Sequence, residues 1–355
     1  MKLSPWLFAL VPALALSACS SDDDAGPTGP KTDAQYENEV TRGMHDSLLA
    51  DIKALNAAAV ELETAAPEHA WDADDDADAI AAMTAAWLEA RAAYERTEGA
   101  LAPLFPDIDG YIDARYDDFL SDLGDDGDQD LFDDEGVTGM HAVERILFAP
   151  DIPASVVTLE STLPGYKAAA WPATDEEALE FKHELCARLV KDTATLQKQW
   201  TPQVIDLDGA FGGLISLMNE QREKVNKAAS EEEESRYAQR TMADIRDNLA
   251  GTTKIYALFE PWLLSKDGGD AINADVHAAF DALHAAYADV EGDAIPQPPK
   301  DWSAESPSEK DLATPFGELY TAVQESVDPN IEGSAVDGMN RAAIKLGFEE
   351  FVEEE

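Results

Sequence analysis

From residue 34 onward the apolar residues recur at intervals of three and four. Between 34 and 65 they fall at Val40, Met44, Leu48, Ile52 and Leu55, a spacing that lines one face of a helix. The stretch 77–102 repeats the pattern with Ile80, Met83, Trp87, Tyr94 and Leu101, and Pro103 and Pro106 are expected to end it. Residues 104–136 lose the period and predict an irregular segment holding one or two short helices. A short helix is predicted over about 138–148, starting near Thr138-Gly139 and stopped by Pro150. Further helices are predicted at about 175–200, 203–228, 235–264, 272–290, 309–325 and 334–352. Alternation of strand length is scarce and alanine is abundant, so the expected fold class is all-α. The expected architecture is two packed helical bundles, 34–160 and 161–355, divided within the proline-bearing stretch 150–174.

The first residues follow a different logic. Lys2 supplies a positive start, and Pro5 to Leu16 form an apolar run too short for a stable bilayer span. Leu16-Ser17-Ala18-Cys19 matches a lipoprotein cleavage box. Residues 1–18 therefore read as a signal peptide and Cys19 as the lipidation site, which makes the membrane a partner through acyl chains. Ser20, standing where Asp would signal inner-membrane retention, favours the outer membrane facing the periplasm. Residues 19–33 are rich in Gly, Pro and Asp and read as a flexible tether.

Composition changes the picture in two ways. Hydrophobic residues make up 45% of the chain, enough for a sizeable core. Against 25 Lys and Arg stand 73 Asp and Glu, a net charge of −48. Such a surface repels nucleic acid, which is excluded as a partner, and it keeps copies apart, so a monomer is expected. The acids are spread along the chain, as in a salt-adapted surface; at ~1 M salt the screening length falls to ~3 Å and most self-repulsion disappears. Once Cys19 is lipidated only Cys186 remains, on an apolar helical pattern, and it reads as a small buried hydrophobe.

The candidate chemistry centres on Gly139-Met140-His141-Ala142-Val143-Glu144. On a helix, His141 and Glu144 share a face, and an imidazole beside a carboxylate is half of a coordination shell for Fe, Zn or Mn. A zinc peptidase helix needs HExxH, and His183-Glu184-Leu185-Cys186-Ala187 carries Ala where the second His belongs. The inverted HxxEH fails because Arg145 follows Glu144.

Upstream, Trp87-Leu88-Glu89-Ala90-Arg91 leads into Ala93-Tyr94-Glu95-Arg96-Thr97-Glu98, then Leu104-Phe105-Pro106-Asp107-Ile108-Asp109 and Ile112-Asp113-Ala114-Arg115. Downstream stand Glu232-Glu233-Glu234-Ser235-Arg236-Tyr237 and Asp247-Asn248-Leu249-Ala250-Gly251. This ordered set, running over about residues 36–350, resembles the imelysin-like family, closest to its EfeO-type iron-uptake branch. The resemblance implies two four-helix-bundle-like halves and metal binding centred on the GxHxxE motif. Residue by residue it implies His141 and Glu144 as ligands, Glu98 as a third, and Asp113 as a ligand or an acceptor for His141. Arg115 would hold a site carboxylate, with Glu95 and Arg91 as supporting residues. The implied cargo is a metal ion, iron before zinc or another divalent ion, captured for uptake and passed to an iron permease. The alternative is a metal-dependent peptidase using the same pair. Only a short tether separates Cys19 from the first helix, so the resemblance is to the forms without a cupredoxin-like domain.

Overall fold

Helix α1 (Asp33–Ala65) buries Val40, Met44, Leu48, Ile52 and Leu55 along one stripe, as the spacing requires. The computed structural model describes residues 30–124 and 127–352; the expected signal peptide and Cys19 lie outside them. Along the chain follow α2 (Ala77–Glu95), α3 (Glu98–Leu104), α4 (Pro106–Asp113), α5 (Tyr116–Leu123), α6 (Gly139–Leu147) and α7 (Ala154–Glu160). Then come α8 (Asp175–Glu180), a π-helical turn (Phe181–Cys186), α9 (Ala187–Gln199), α10 (Leu207–Lys227), α11 (Thr241–Leu263) and α12 (Gly269–Ala288). The last are α13 (Glu309–Leu312), α14 (Pro315–Val327) and α15 (Ala335–Leu346). The fold is all-helical, with no strand among the described residues.

Asp33–Glu355 forms one compact unit. Its two halves share a continuous apolar core: α1 packs on α9 and α11, α2 on α11, and α3 on α10. Cys186 is fully buried in the π-helical turn, where desolvation pushes its thiol well above the usual range.

Two departures from the predicted elements shape the site. The helix expected over 77–102 breaks at Arg96-Thr97. Thr97 turns its hydroxyl back to the Tyr94 carbonyl (2.8 Å), and Arg96 reaches out to Asp51 (2.9 Å) and Asp247 (3.1 Å). Gly251 of α11 lies so close that a Cβ there would sit 2.3 Å from the Arg96 carbonyl oxygen. The break lets α3 start afresh and points Glu98 inward. The helix expected from 235 begins instead at Thr241. Residues 231–240 fold back as a turn, with Glu231 (φ 64°) and Gln239 (φ 54°) in the left-handed region. The acidic run 231–234, suited by charge to a helix N-terminus, is partly drawn inside: Glu233 is buried and Glu234 nearly so.

Candidate metal centre

The glycine that opens α6 has a steric duty. Gly139 takes φ 88°, and a Cβ there would lie 2.7 Å from the carbonyl oxygens of both Tyr111 and Ile112. Only glycine lets the start of α6 press against the last turn of α4. That contact brings His141, on the first turn of α6, against Asp113, the final residue of α4.

All of α6 is buried, and His141 is only 1% exposed. Its Nδ1 lies 2.8 Å from Glu144 Oε2. The other oxygen of Glu144 accepts from the backbone N–H groups of Tyr237 (3.1 Å) and Ala238 (2.8 Å), in the 231–240 turn. Glu144 thus fixes the imidazole on one side and the turn on the other. The turn in its place delivers Glu234. His141 Nε2 faces the opposite way, 3.5 Å from Asp113 Oδ1, and has no hydrogen-bond partner. Ligand atoms of Asp113, His141 and Glu234 all lie within 4.8 Å of one another.

Cations knit these acids together. The Arg91 guanidinium, 1% exposed, pairs with Asp113 and Glu95 and lies 3.3 Å from Glu234 Oε1 and 3.5 Å from Asp244 Oδ1. Lys224 of α10 sits 3.2 Å from both oxygens of Glu98, from Glu234 Oε2 and from Asn248 Oδ1. Asn248 in turn donates to Glu95 and to Glu98 Oε2 (2.7 Å). Burial would raise the Glu234 carboxyl, but Lys224, Arg91 and His141 outweigh it and hold the group far below the usual range. Asp113 is likewise lowered, with Arg91 and His141 overcoming desolvation. Glu95 and Glu98, where desolvation wins, are raised. Desolvation and the Arg91 charge press the His141 imidazole down, yet the neighbouring Asp113 and Glu144 carboxylates lift it to about 9.

A cleft of about 290 Å³ opens onto the group, bordered by Glu98, Asp109, Asp113, Glu220, Lys224 and Glu234. Burial pushes Asp109, on its rim, up to about 7.

The structure brings His141, Glu144, Asp113, Arg91, Glu95 and Glu98 into one neighbourhood, in different stations. Asp113 and His141 present facing atoms. Glu144, expected as a direct ligand, has both oxygens engaged behind the imidazole. Glu98, expected as a third ligand, is held by Lys224 and Asn248. Arg115, expected on a site carboxylate, bonds the Glu232 carbonyl (3.0 Å) and Asp118 (3.4 Å), so it steadies the turn that carries Glu234. Sequence reasoning did not single out Glu234, Lys224 and Asp244. The ordered Glu232-to-Tyr237 segment was the one signal pointing to Glu234.

The donor set fits a metal ion. Donors on opposite sides of an ion at about 2.0–2.4 Å lie roughly 4–4.8 Å apart, so the three side chains need little movement to close on one. The imidazole nitrogen that faces Asp113 is the one without a partner. Two carboxylates with one imidazole suit iron, manganese or zinc.

The family model described as Imelysin matches residues 42–324. The iron uptake system component EfeO of Yersinia pseudotuberculosis is 30% identical over 174 residues, covering 49% of this chain and 36% of that protein. An Efem/EfeO family lipoprotein of Staphylococcus haemolyticus is 27% identical over 191 residues, covering 54% of this chain and 52% of that protein. These alignments thus span between a third and about half of the relatives' lengths. The crystal structure of an imelysin-like protein from Psychrobacter arcticum superposes with a TM-score of 0.59 at 14% identity, covering 91% of this chain and 99% of that one, and so shares its fold. By the extent of the family match, the chain belongs to the imelysin family.

Proposed function

We propose that this protein captures iron in the bacterial cell envelope, binding the ion between Asp113, His141 and Glu234 and passing it to a permease. The observation that carries the reading is the buried, unpartnered Nε2 of His141, 3.5 Å from Asp113, in a triad with Glu234 at ligand spacing. The names of the relatives, an iron uptake component and an Efem/EfeO lipoprotein, support both the cargo and the location. The Cys19 box supports attachment by lipid, and Ser20 after it favours the outer membrane facing the periplasm. Among the described residues no helix is long and apolar enough to cross a membrane.

In this reading Glu144 works through His141. It accepts the Nδ1 proton, which leaves Nε2 as the coordinating nitrogen and raises its basicity. Peptidase chemistry at the same pair is less favoured, because a hydrolytic base must be free to take a proton from bound water. Both oxygens of Glu144 are engaged.

Calorimetric titration of the full chain with Fe, Zn, Mn and Cu at high salt tests the proposal. Saturable binding of about one ion, lost in His141→Ala at unchanged helicity, is the expected result. Weak, non-saturating uptake indifferent to His141→Ala would mean that the acids merely attract cations.

A further inference from the structure

Lys224 occupies the place of a cation. Its ammonium is 7% exposed and lies 3.2 Å from Glu98 Oε1, Glu98 Oε2, Glu234 Oε2 and Asn248 Oδ1, four oxygens arranged around one positive charge. Two of its partners matter to the metal reading: Glu234 belongs to the ligand triad, and Glu98 stands beside it on the same cleft. Arg91 also neutralises the triad, but its guanidinium is locked among Glu95, Asp113, Glu234 and Asp244. Lys224 differs in three ways. It carries a point charge on a flexible four-carbon stem. It lines the open cleft. It also has a second acid to move to, because Glu220 lies one turn back on α10, borders the same cleft and acts on the Lys224 charge.

We infer that Lys224 is a built-in competitor for the metal: its ammonium neutralises Glu98 and Glu234 while the site is empty of iron, and an arriving ion displaces it toward Glu220, freeing Glu98 to join Asp113, His141 and Glu234 as a fourth ligand. The inference rests on the metal-site reading proposed above. Physically, two like charges compete for the same carboxylates, so the ion binds by exchange and the stored ammonium favours its release. That suits a carrier that must give its cargo up. The residue sets affinity and holds carboxylates in place.

Two measurements test it, with zinc as a redox-inert probe and ferrous iron under anaerobic conditions. In the first, full-length wild type, His141→Ala, Lys224→Met and Lys224→Arg are titrated. Lys224→Met keeps the stem and removes the charge, and it should bind at least tenfold more tightly than wild type, with Lys224→Arg close to wild type. In the second, unmodified wild type is reductively methylated with and without metal, and labelling at Lys224 is read by peptide mass spectrometry. Displacement should speed that labelling several-fold in the loaded protein. Binding that is lost in His141→Ala but unchanged or weaker in a folded Lys224→Met would overturn the inference and leave the metal site standing. Absence of saturable binding in wild type would sink both. If Lys224→Met fails to fold, the labelling decides, and an unchanged rate on loading refutes displacement.

Discussion

Replacing Glu144 by Gln separates the support of the site from its ligands. The carboxylate accepts three hydrogen bonds at a position with no solvent exposure: from His141 Nδ1 at 2.8 Å, Ala238 N at 2.8 Å and Tyr237 N at 3.1 Å. An amide keeps the shape, and its oxygen can still serve the two backbone donors. Its NH₂ group then faces His141 Nδ1, which must turn from donor to acceptor. In a neutral imidazole that moves the proton to Nε2, the nitrogen that faces Asp113. Rotating the amide instead would set its NH₂ against two backbone N–H groups and forfeit both of those bonds. Metal binding to the variant therefore forfeits about one charge-assisted hydrogen bond, roughly 1.5–3 kcal/mol, or about 10- to 150-fold in affinity. Folding loses less, about 1–2 kcal/mol, because the bonds survive in neutral form. The assay is competition against a chelator of known affinity, run beside thermal unfolding, with ¹⁵N NMR of the imidazole to read the tautomer. Wild-type affinity in a folded Glu144→Gln chain with Nδ1 still protonated would refute this account of Glu144.

Three further outcomes follow from the same geometry. Because His141 titrates near 9 in the metal-free fold, an ion must displace the Nε2 proton, so affinity should rise up to about tenfold per pH unit from 7 toward 9, with up to one proton released per ion in calorimetry across buffers. A pH-independent affinity over that range would contradict it. The same shift has a folding consequence: with the folded value raised above the unfolded 6.5, the stabilisation is fully present below pH 6.5 and is lost as pH rises through about 9, which metal-free melting curves will register. Gly139→Ala should cost about 2–4 kcal/mol, since it adds a Cβ 2.7 Å from two carbonyl oxygens at φ 88°, and it should weaken metal binding more than a Gly292→Ala control on an open turn. Equal effects on binding from the two substitutions would remove the role assigned to the α4–α6 contact.

The residues legible in the sequence were those whose neighbours in the chain are also neighbours in space. The stripe of α1, the His141–Glu144 pair and the Asp113–Arg115 segment fall in this class, because helical periodicity or motif order fixes them locally. Glu234, Asp244 and Lys224 come from the second half and reach the site only through packing of α10, α11 and the 231–240 turn against α2, α3 and α6. Only the ordered Glu232-to-Tyr237 segment points toward Glu234, and with 73 acids in the chain a buried carboxylate such as Asp244 is hard to tell from a salt-adapted surface. The scarcer sign is the better guide. With only 25 Lys and Arg to 73 acids, most acids must stay in water, and one drawn inside needs a cation, since an isolated buried charge is too costly to keep. The buried Lys and Arg side chains are few: Arg91, Arg145, Lys224 and Arg236 among the described residues. Arg91 and Lys224 between them touch Glu95, Glu98, Asp113, Glu234 and Asp244. In a chain this acidic, a basic residue at a core position is therefore the mark of the carboxylates that matter, and here it leads to two of the three side chains of the triad.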